Sequence, residues 1–283
     1  MIHSIGQQTG APVRRICRVL NLPRSSFYQA AKLCQSELEN RRIGGVIEKI
    51  FRRHRARYGY RRVHEDLKEL EIECGSARVR QIMKTRGLRA ITSKRFRPRT
   101  SDGRADRPCD NLLVERAAPS GVDQVWLGDI TFIRISGRWY YLAVVIDLCS
   151  RRVVGWHLAD HLRSTLVCRA LRKALHSRRP SRGIIFHSDR GSQYGSGSFR
   201  ALLKDHGIVQ SMSRKANPYD NAWTESFIGT LKSEMIEAAS LVDPEQAQMA
   251  LFSYIDGYYN NQRKHSSLAY LSPAEFESNI TKN

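Results

Sequence analysis

Between Gln124 and Leu158 lie three runs rich in Val, Ile, Tyr and Trp, separated by two short polar breaks, Ser136-Gly137 and Ser150-Arg151. Runs of this composition make strands, and breaks this short permit only antiparallel neighbours. Beyond Leu158 helical and strand patterns alternate. Leu166, Val167, Ala170, Leu171, Ala174 and Leu175 recur at helical spacing within 164–176. Gly183-Ile184-Ile185-Phe186 reads as a short buried strand, 198–206 as a helix and 208–211 as a fifth strand, with helices near 220–238 and 243–262. The order predicts an α/β fold, a mixed five-stranded sheet with flanking helices.

Residues before 121 show another pattern. Two short helices are expected in 13–31 around Asn21-Leu22-Pro23, with Ile16, Val19 and Leu20 on one apolar face and Ser25, Phe27 and Tyr28 opening the second. Ile43, Val46, Ile47, Ile50 and Phe51 mark a helix over 41–58. Val63, Leu67 and Leu70 mark the next. A third runs over 77–86, capped by Ser76 and closed by Gly87. It turns Val79, Ile82 and Met83 inward and leaves Arg78, Arg80, Gln81 and Lys84 facing elsewhere. A short basic helix after a tight turn is how a recognition helix enters the major groove; the alternative is a solvated basic face. Residues 89–120 interleave Arg with Pro98, Pro108 and Pro119. They read as a basic linker that either tracks a phosphate backbone or is simply flexible. The expected domains are therefore a short helical segment (1–40), a helix-turn-helix-like DNA-binding domain (41–88), the linker (89–120), a catalytic core (121–240) and a C-terminal helical extension (241–283).

Charge sharpens this division. Residues 1–120 carry 27 Lys and Arg against 12 Asp and Glu, a net +15, whereas 121–283 carry 20 against 15, a net +5. A field of that sign suits a polyanion, nucleic acid before an anionic membrane. Arg dominates the basic front, and its planar fork holds phosphates and base edges. The six cysteines form no C-x-x-C pair, so neither a zinc ribbon nor a redox motif is suggested. No signal peptide and no membrane-length apolar run is seen, and a reducing cytoplasm is the expected compartment.

Three acids stand out by position. Asp129 interrupts the apolar first strand, Asp189 ends the fourth, and Glu225 lies on the helix that opens near 221. Strands one and four are central neighbours in a sheet of this order, so an acid on each can converge at one edge. A carboxylate there is costly unless solvated, paired or metal-bound. Hard oxygen donors without a His-Cys cluster favour Mg²⁺ or Mn²⁺. Two such ions can clamp the attacking and leaving oxygens of an in-line phosphoryl displacement. On the helix wheel Trp223, Phe227, Leu231 and Met235 form a stripe toward the sheet, and Asn221, Glu225 and Lys232 form another about 120° away. Lys232 is then placed to hold a DNA phosphate, and Asn221 is a further expected DNA contact. A solvated polar face is the bland alternative. Asp147, near the end of the second strand, suits a turn or a supporting role beside the site. His187 reads as structural, and Asp220 as the cap of the Glu225 helix. Arg263 and His265 either contact DNA or cap the last helix.

These residues resemble the Asp-Asp-Glu transposases and retroviral integrases, an RNase H-like fold. Thirty-five residues separate Asp189 from Glu225, the spacing of the D,D-35-E group. The likeness is closer to bacterial insertion-sequence-three transposases, the product of the second reading frame. It is carried by Tyr58-Gly59-Tyr60-Arg61-Arg62, by Trp126 with Asp129-Ile130-Thr131, and by His187-Ser188-Asp189-Arg190-Gly191-Ser192-Gln193-Tyr194. Asp220-Asn221-Ala222 through Glu225-Ser226-Phe227 to Leu231-Lys232 carries it further, as do Tyr259-Asn260, Arg263, His265, Ser267-Leu268 and Ser272-Pro273. The resemblance implies Asp129, Asp189 and Glu225 as catalytic, metal-holding triad, two Mg²⁺ ions, and Lys232 as the DNA-contacting lysine. It implies as partners the element's terminal repeats and target DNA, the upstream reading frame's product (separate or fused), and a second copy on DNA. One departure is that Trp223-Thr224 replaces the small or aliphatic pair usual before the glutamate; Trp223 is expected to repack toward the sheet. Rival expectations are a nuclease of the same fold and a non-catalytic DNA-binding regulator.

Overall fold

The computed structural model describes residues 10–91, 109–114, 117–214, 221–236 and 241–280. Most of the expected linker, and Asp220, lie outside them. The chain divides into two compact units, Met1–Ile91 and Thr92–Asn283. Among the described residues no helix is long and apolar enough to cross a membrane.

The first unit is helical: α1 (Val13–Val19), α2 (Arg24–Arg53), α3 (Tyr60–Glu69) and α4 (Ser76–Thr85). Where two helices are expected from the sequence, at 24–31 and 41–58, α2 is continuous. No Pro or Gly interrupts 32–42, and Glu, Leu, Lys and Gln in that stretch favour the helix. It therefore crosses the expected border at residue 40. Ile43, Ile47 and Ile50 of α2 are buried with Val63 and Leu67 of α3 and Val79, Ile82 and Met83 of α4. Gly75, not Ser76, stands at the N-cap of α4, and no side chain caps it. The other end is as expected. Gly87 takes φ +67°, and the Leu88 amide reaches back 2.9 Å to the Met83 carbonyl, a glycine-closed C-terminus.

The second unit carries the sheet. Its strands are β1 (Val125–Ile135), β2 (Arg138–Asp147), β3 (Val153–Ala159), β4 (Ile185–Ser188) and β5 (Val209–Met212). Their spatial order is β3-β2-β1-β4-β5. β1 pairs antiparallel with β2 and parallel with β4, β2 antiparallel with β3, and β4 parallel with β5. Helices α5 (Ser164–Arg178), α6 (Ser192–Gly195) and α7 (Gly197–Asp205) make the crossovers. One face of the sheet presents Trp126, Ala143, Val145, Val154 and Phe186 to Leu166, Ala170, Leu171 and Ala174 of α5 and Phe199 and Leu203 of α7. Gly155 has to lack a side chain, because a Cβ there would run into the backbone of Ala170 and Ala174. Truncating a residue such as Leu171 would cost about 2–5 kcal/mol.

Helix α8 (Ala222–Leu231) lies against β1 and continues as a π-helical turn, Lys232–Ile236. Then come α9 (Pro244–Phe252), a second π-helical stretch Ser253–Tyr259, and α10 (Pro273–Ile280). Asp243 caps α9, its Oδ1 accepting the Gln246 amide at 2.9 Å. α10 returns to the sheet through one carboxylate. Glu277 accepts from Ser150 Oγ (2.8 Å), Arg152 Nη1 (2.6 Å) and Arg178 Nη1 (2.8 Å). These groups hold its carboxyl below the usual range, overcoming the opposing effect of burial.

Candidate active site

The sheet register brings the first two acids together. Gly128 of β1 pairs with Ser188 of the parallel strand β4. Asp129 and Asp189 are the next residue on each chain, and parallel neighbours run about 4.8 Å apart. Gly128 is needed beside them, since a Cβ would collide with the ring of Phe186 and lie 3.2 Å from that of Tyr194. Local backbone amides steady both carboxylates. Asp129 Oδ1 accepts the Ile130 amide at 2.7 Å, and Asp189 Oδ1 accepts the Gly191 amide at 3.0 Å.

Burial then sets their electrostatics. It pushes the Asp129 carboxyl up to about 7, helped by the charges of Asp189 and then Glu225 and opposed by the Ile130 amide and the Thr224 hydroxyl. Burial also raises Asp189, against the pull of the Gly191 amide. Gathering carboxylates without a cation has this cost.

Glu225 lies in the first turn of α8. Its charge is felt at Asp129, although its side chain is exposed. Thr224 is fully buried; its hydroxyl lies 2.8 and 2.7 Å from the backbone and side-chain oxygens of Asn221 and favours the ionised form of Asp129. Among the described residues no three His, Cys, Asp or Glu side chains stand close enough to hold one ion as they are. The donor set nevertheless fits a hard divalent cation: it is all carboxylate oxygen, and at Asp129 it holds a proton where a cation would relieve the repulsion.

The helix wheel needs correction at two places. Trp223 does not face the sheet; it is 49% exposed, whereas Thr224, Phe227 and Leu231 are buried. Only the first member of the inward stripe changes, Thr224 taking the place of Trp223, because a small hydroxyl that bonds Asn221 at 2.7 and 2.8 Å fits the interface better than an indole. Met235 stays buried through the π-helical turn, which adds a residue to the register. Asn221 is correspondingly turned inward, 8% exposed, instead of sharing an outward stripe with Glu225. Trp223 finds another partner: the Arg151 guanidinium lies 3.6 Å from its ring centroid. Nε and Nη1 of Arg151 are buried without a hydrogen-bond partner among the described residues. Nothing in the sequence signals a pairing between positions so far apart. Lys232 opens the π-helical turn and is half-buried.

The remaining candidates are structural. Asp147 accepts the amides of Asp123 (2.7 Å), Cys149 (3.0 Å) and Ser150 (2.8 Å), which is a turn role. His187 is buried between Ser211 and Ser213. Arg263 neither contacts solvent freely nor caps a helix; it is buried and forks onto Glu234 at 2.7–3.1 Å, with Tyr254 also donating to that carboxylate.

In the helical unit, Arg80, Gln81 and Lys84 are exposed along α4. Arg78 is engaged inside the unit, with Nε on Asn40 at 2.8 Å and Nη2 on Glu39 at 2.7 Å.

Comparison with known proteins agrees with this layout. Residues 37–96 match the HTH-like domain family, and 119–218 and 206–273 match integrase core domain families. The chain is 36% identical over 269 residues to the transposase InsF of insertion sequence IS3A from Escherichia coli K12, covering 94% of this chain and 93% of the relative. It is 37% identical over 245 residues to the transposase of insertion sequence element IS904 from Lactococcus lactis, covering 86% and 96%. Among solved structures it is similar to a chain of the simian T-cell lymphotropic virus intasome (TM-score 0.48, 18% identity, 72% of this chain and 67% of that one). It is also similar to the HTLV-2 integrase catalytic core domain (TM-score 0.43, 17% identity, 56% and 98%). With an integrase core behind an HTH-like domain and this identity over nearly its whole length, the chain belongs to the IS3-type insertion-sequence transposases.

Proposed function

We propose that the chain cleaves DNA at the ends of a bacterial insertion sequence and joins the freed 3′-OH to another phosphodiester, with Asp129, Asp189 and Glu225 as its acidic triad. The observation that carries this reading is the convergence of charge at Asp129, which feels both other acids at the edge where β1 and β4 run parallel. Asp129 and Asp189 hold the cation, and Glu225 completes the set as α8 settles on them. Mg²⁺, two ions with Mn²⁺ able to substitute, would supply charge stabilisation and nucleophile activation. The protein's own part is alignment. Thr224 in the first turn of α8 favours the ionised form of Asp129, and Lys232 takes a phosphate further along the same helix.

Residues 41–88 read the element's terminal repeats through Arg80, Gln81 and Lys84, with Arg78 bracing α4. Residues 89–120 serve as the basic connection to the core at 121–240, and 241–283 extend it. The upstream-frame subunit, separate or fused, and a second copy of this chain complete the assembly that holds two ends.

A strand-transfer reaction with a precut end and Mg²⁺ tests the reading. Joined product is expected; nicks alone would make the chain a nuclease, and retention without cleavage a regulator. Asp189→Asn should abolish joining while DNA affinity stays within about twofold. Joining by that variant would remove the triad assignment.

A further inference from the structure

Tyr194 lies in α6, five positions after Asp189, and its ring is 2% exposed. Three aromatic or backbone neighbours fix it. Phe199 packs edge-on at 5.4 Å and Phe186 tilted at 6.0 Å between centroids, and the ring covers Gly128. Gln210 Nε2 holds its backbone carbonyl at 2.7 Å. The ring is fully used by the core, and a phenylalanine would make the same contacts.

The oxygen is not explained by packing. It is buried and has no hydrogen-bond partner among the described residues. A buried hydroxyl left unbonded is destabilising relative to a C–H in the same place. It is also close to the acids. The charges of Asp129 and Asp189 act on the phenol and, after burial, keep its proton on well above the ordinary range. Neither carboxylate is bonded to it directly. The geometry agrees: a Cβ built at Gly191 would lie 2.9 Å from Asp189 Oδ1 and 3.6 Å from the Tyr194 ring, and one at Gly128, next to Asp129, 3.2 Å from that ring.

We propose that Tyr194 is a positioning residue of the active site: its hydroxyl donates to a water oxygen lodged beside Asp129 and Asp189, and so sets the affinity of those aspartates for a divalent cation. The inference rests on the triad reading above. A DNA phosphate oxygen is the other oxygen of similar chemistry, but the phenol is enclosed by protein, and the effect therefore belongs to the DNA-free protein.

The test is Tyr194→Phe in the full chain, which removes one oxygen and keeps the ring. Mn²⁺ alone is titrated without DNA and the free ion read by electron paramagnetic resonance. The Mn²⁺ dissociation constant should rise roughly tenfold, about 1.4 kcal/mol. The metal-free Tm should be unchanged or higher, and in strand transfer kcat should fall with the KM for DNA unchanged. Wild-type Mn²⁺ affinity in Tyr194→Phe overturns the proposal whatever its rate. Asp189→Asn keeps the two readings apart. If it loses Mn²⁺ while Tyr194→Phe does not, only the tyrosine's role is lost. If wild type and Asp189→Asn bind alike, the triad assignment fails and this proposal with it.

Discussion

The Asp129 carboxyl titrates at about 7 in the folded chain, whereas an aspartate in an unfolded chain titrates at about 3.9. The folded state therefore binds that proton more tightly. The stabilisation it brings is full below about pH 4 and is lost as pH rises through about 7. In a chelating buffer, wild type should lose on the order of 1–3 kcal/mol between about pH 5.5 and 8.5 relative to Asp129→Asn, after allowance for partial solvation. Urea denaturation at the two pH values measures it, and parallel losses in both proteins would contradict the assignment. Added Mg²⁺ should restore the alkaline stability of wild type and leave the asparagine variant unmoved. The same side chain explains why Asp129 stands out in the sequence as a candidate. An acid inside a strand of β-branched residues has few other reasons to be there.

At the scale of elements, α8 is held from two sides. Thr224, Phe227 and Leu231 are buried on one face, and Trp223 lies under the Arg151 guanidinium on its exposed face. Trp223→Ala should remove about 0.5–2 kcal/mol, seen as a fall of roughly 1–8 °C in the Tm of the core unit. Strand transfer should fall several-fold, because Glu225 stands two residues away. Trp223→Phe keeps a ring under the cation and should recover most of both; equal loss in the two variants would argue against the stack. The strand order and the 164–176 helix can be read from the sequence because apolar periodicity reports burial directly. The orientation of α8 cannot, since a helix wheel assumes a uniform 100° step and apolar preference at every inward position. A buried threonine hydroxyl and a π-helical turn break both assumptions. The unbroken α2 escapes sequence reading for the opposite reason: nothing in 32–42 stops a helix, and weak apolar periodicity there looks like a gap.

Across the whole molecule, charge is divided unevenly, with +15 in 1–120 and +5 thereafter. DNA affinity should fall steeply with salt, with a log–log slope of about −0.9 per phosphate neutralised. Replacing both Arg80 and Lys84 by Ala should flatten that slope by roughly 2, measured by fluorescence anisotropy across a KCl series on the full chain. An unchanged slope would place DNA binding elsewhere. The Glu277 clasp has a different reach. One carboxylate near the C-terminal end of the chain gathers the side chains of Ser150, Arg152 and Arg178, all synthesised at least 99 residues earlier. Arg178 also forks onto Asp123 at 2.9–3.0 Å, so Asp123 and Glu277 hold it from both sides. Removing that one carboxylate, as in Glu277→Ala, would leave Asp129, Asp189 and Glu225 in place and still loosen three distant segments at once, so the clasp ties the durability of the sheet to a residue that touches none of those acids.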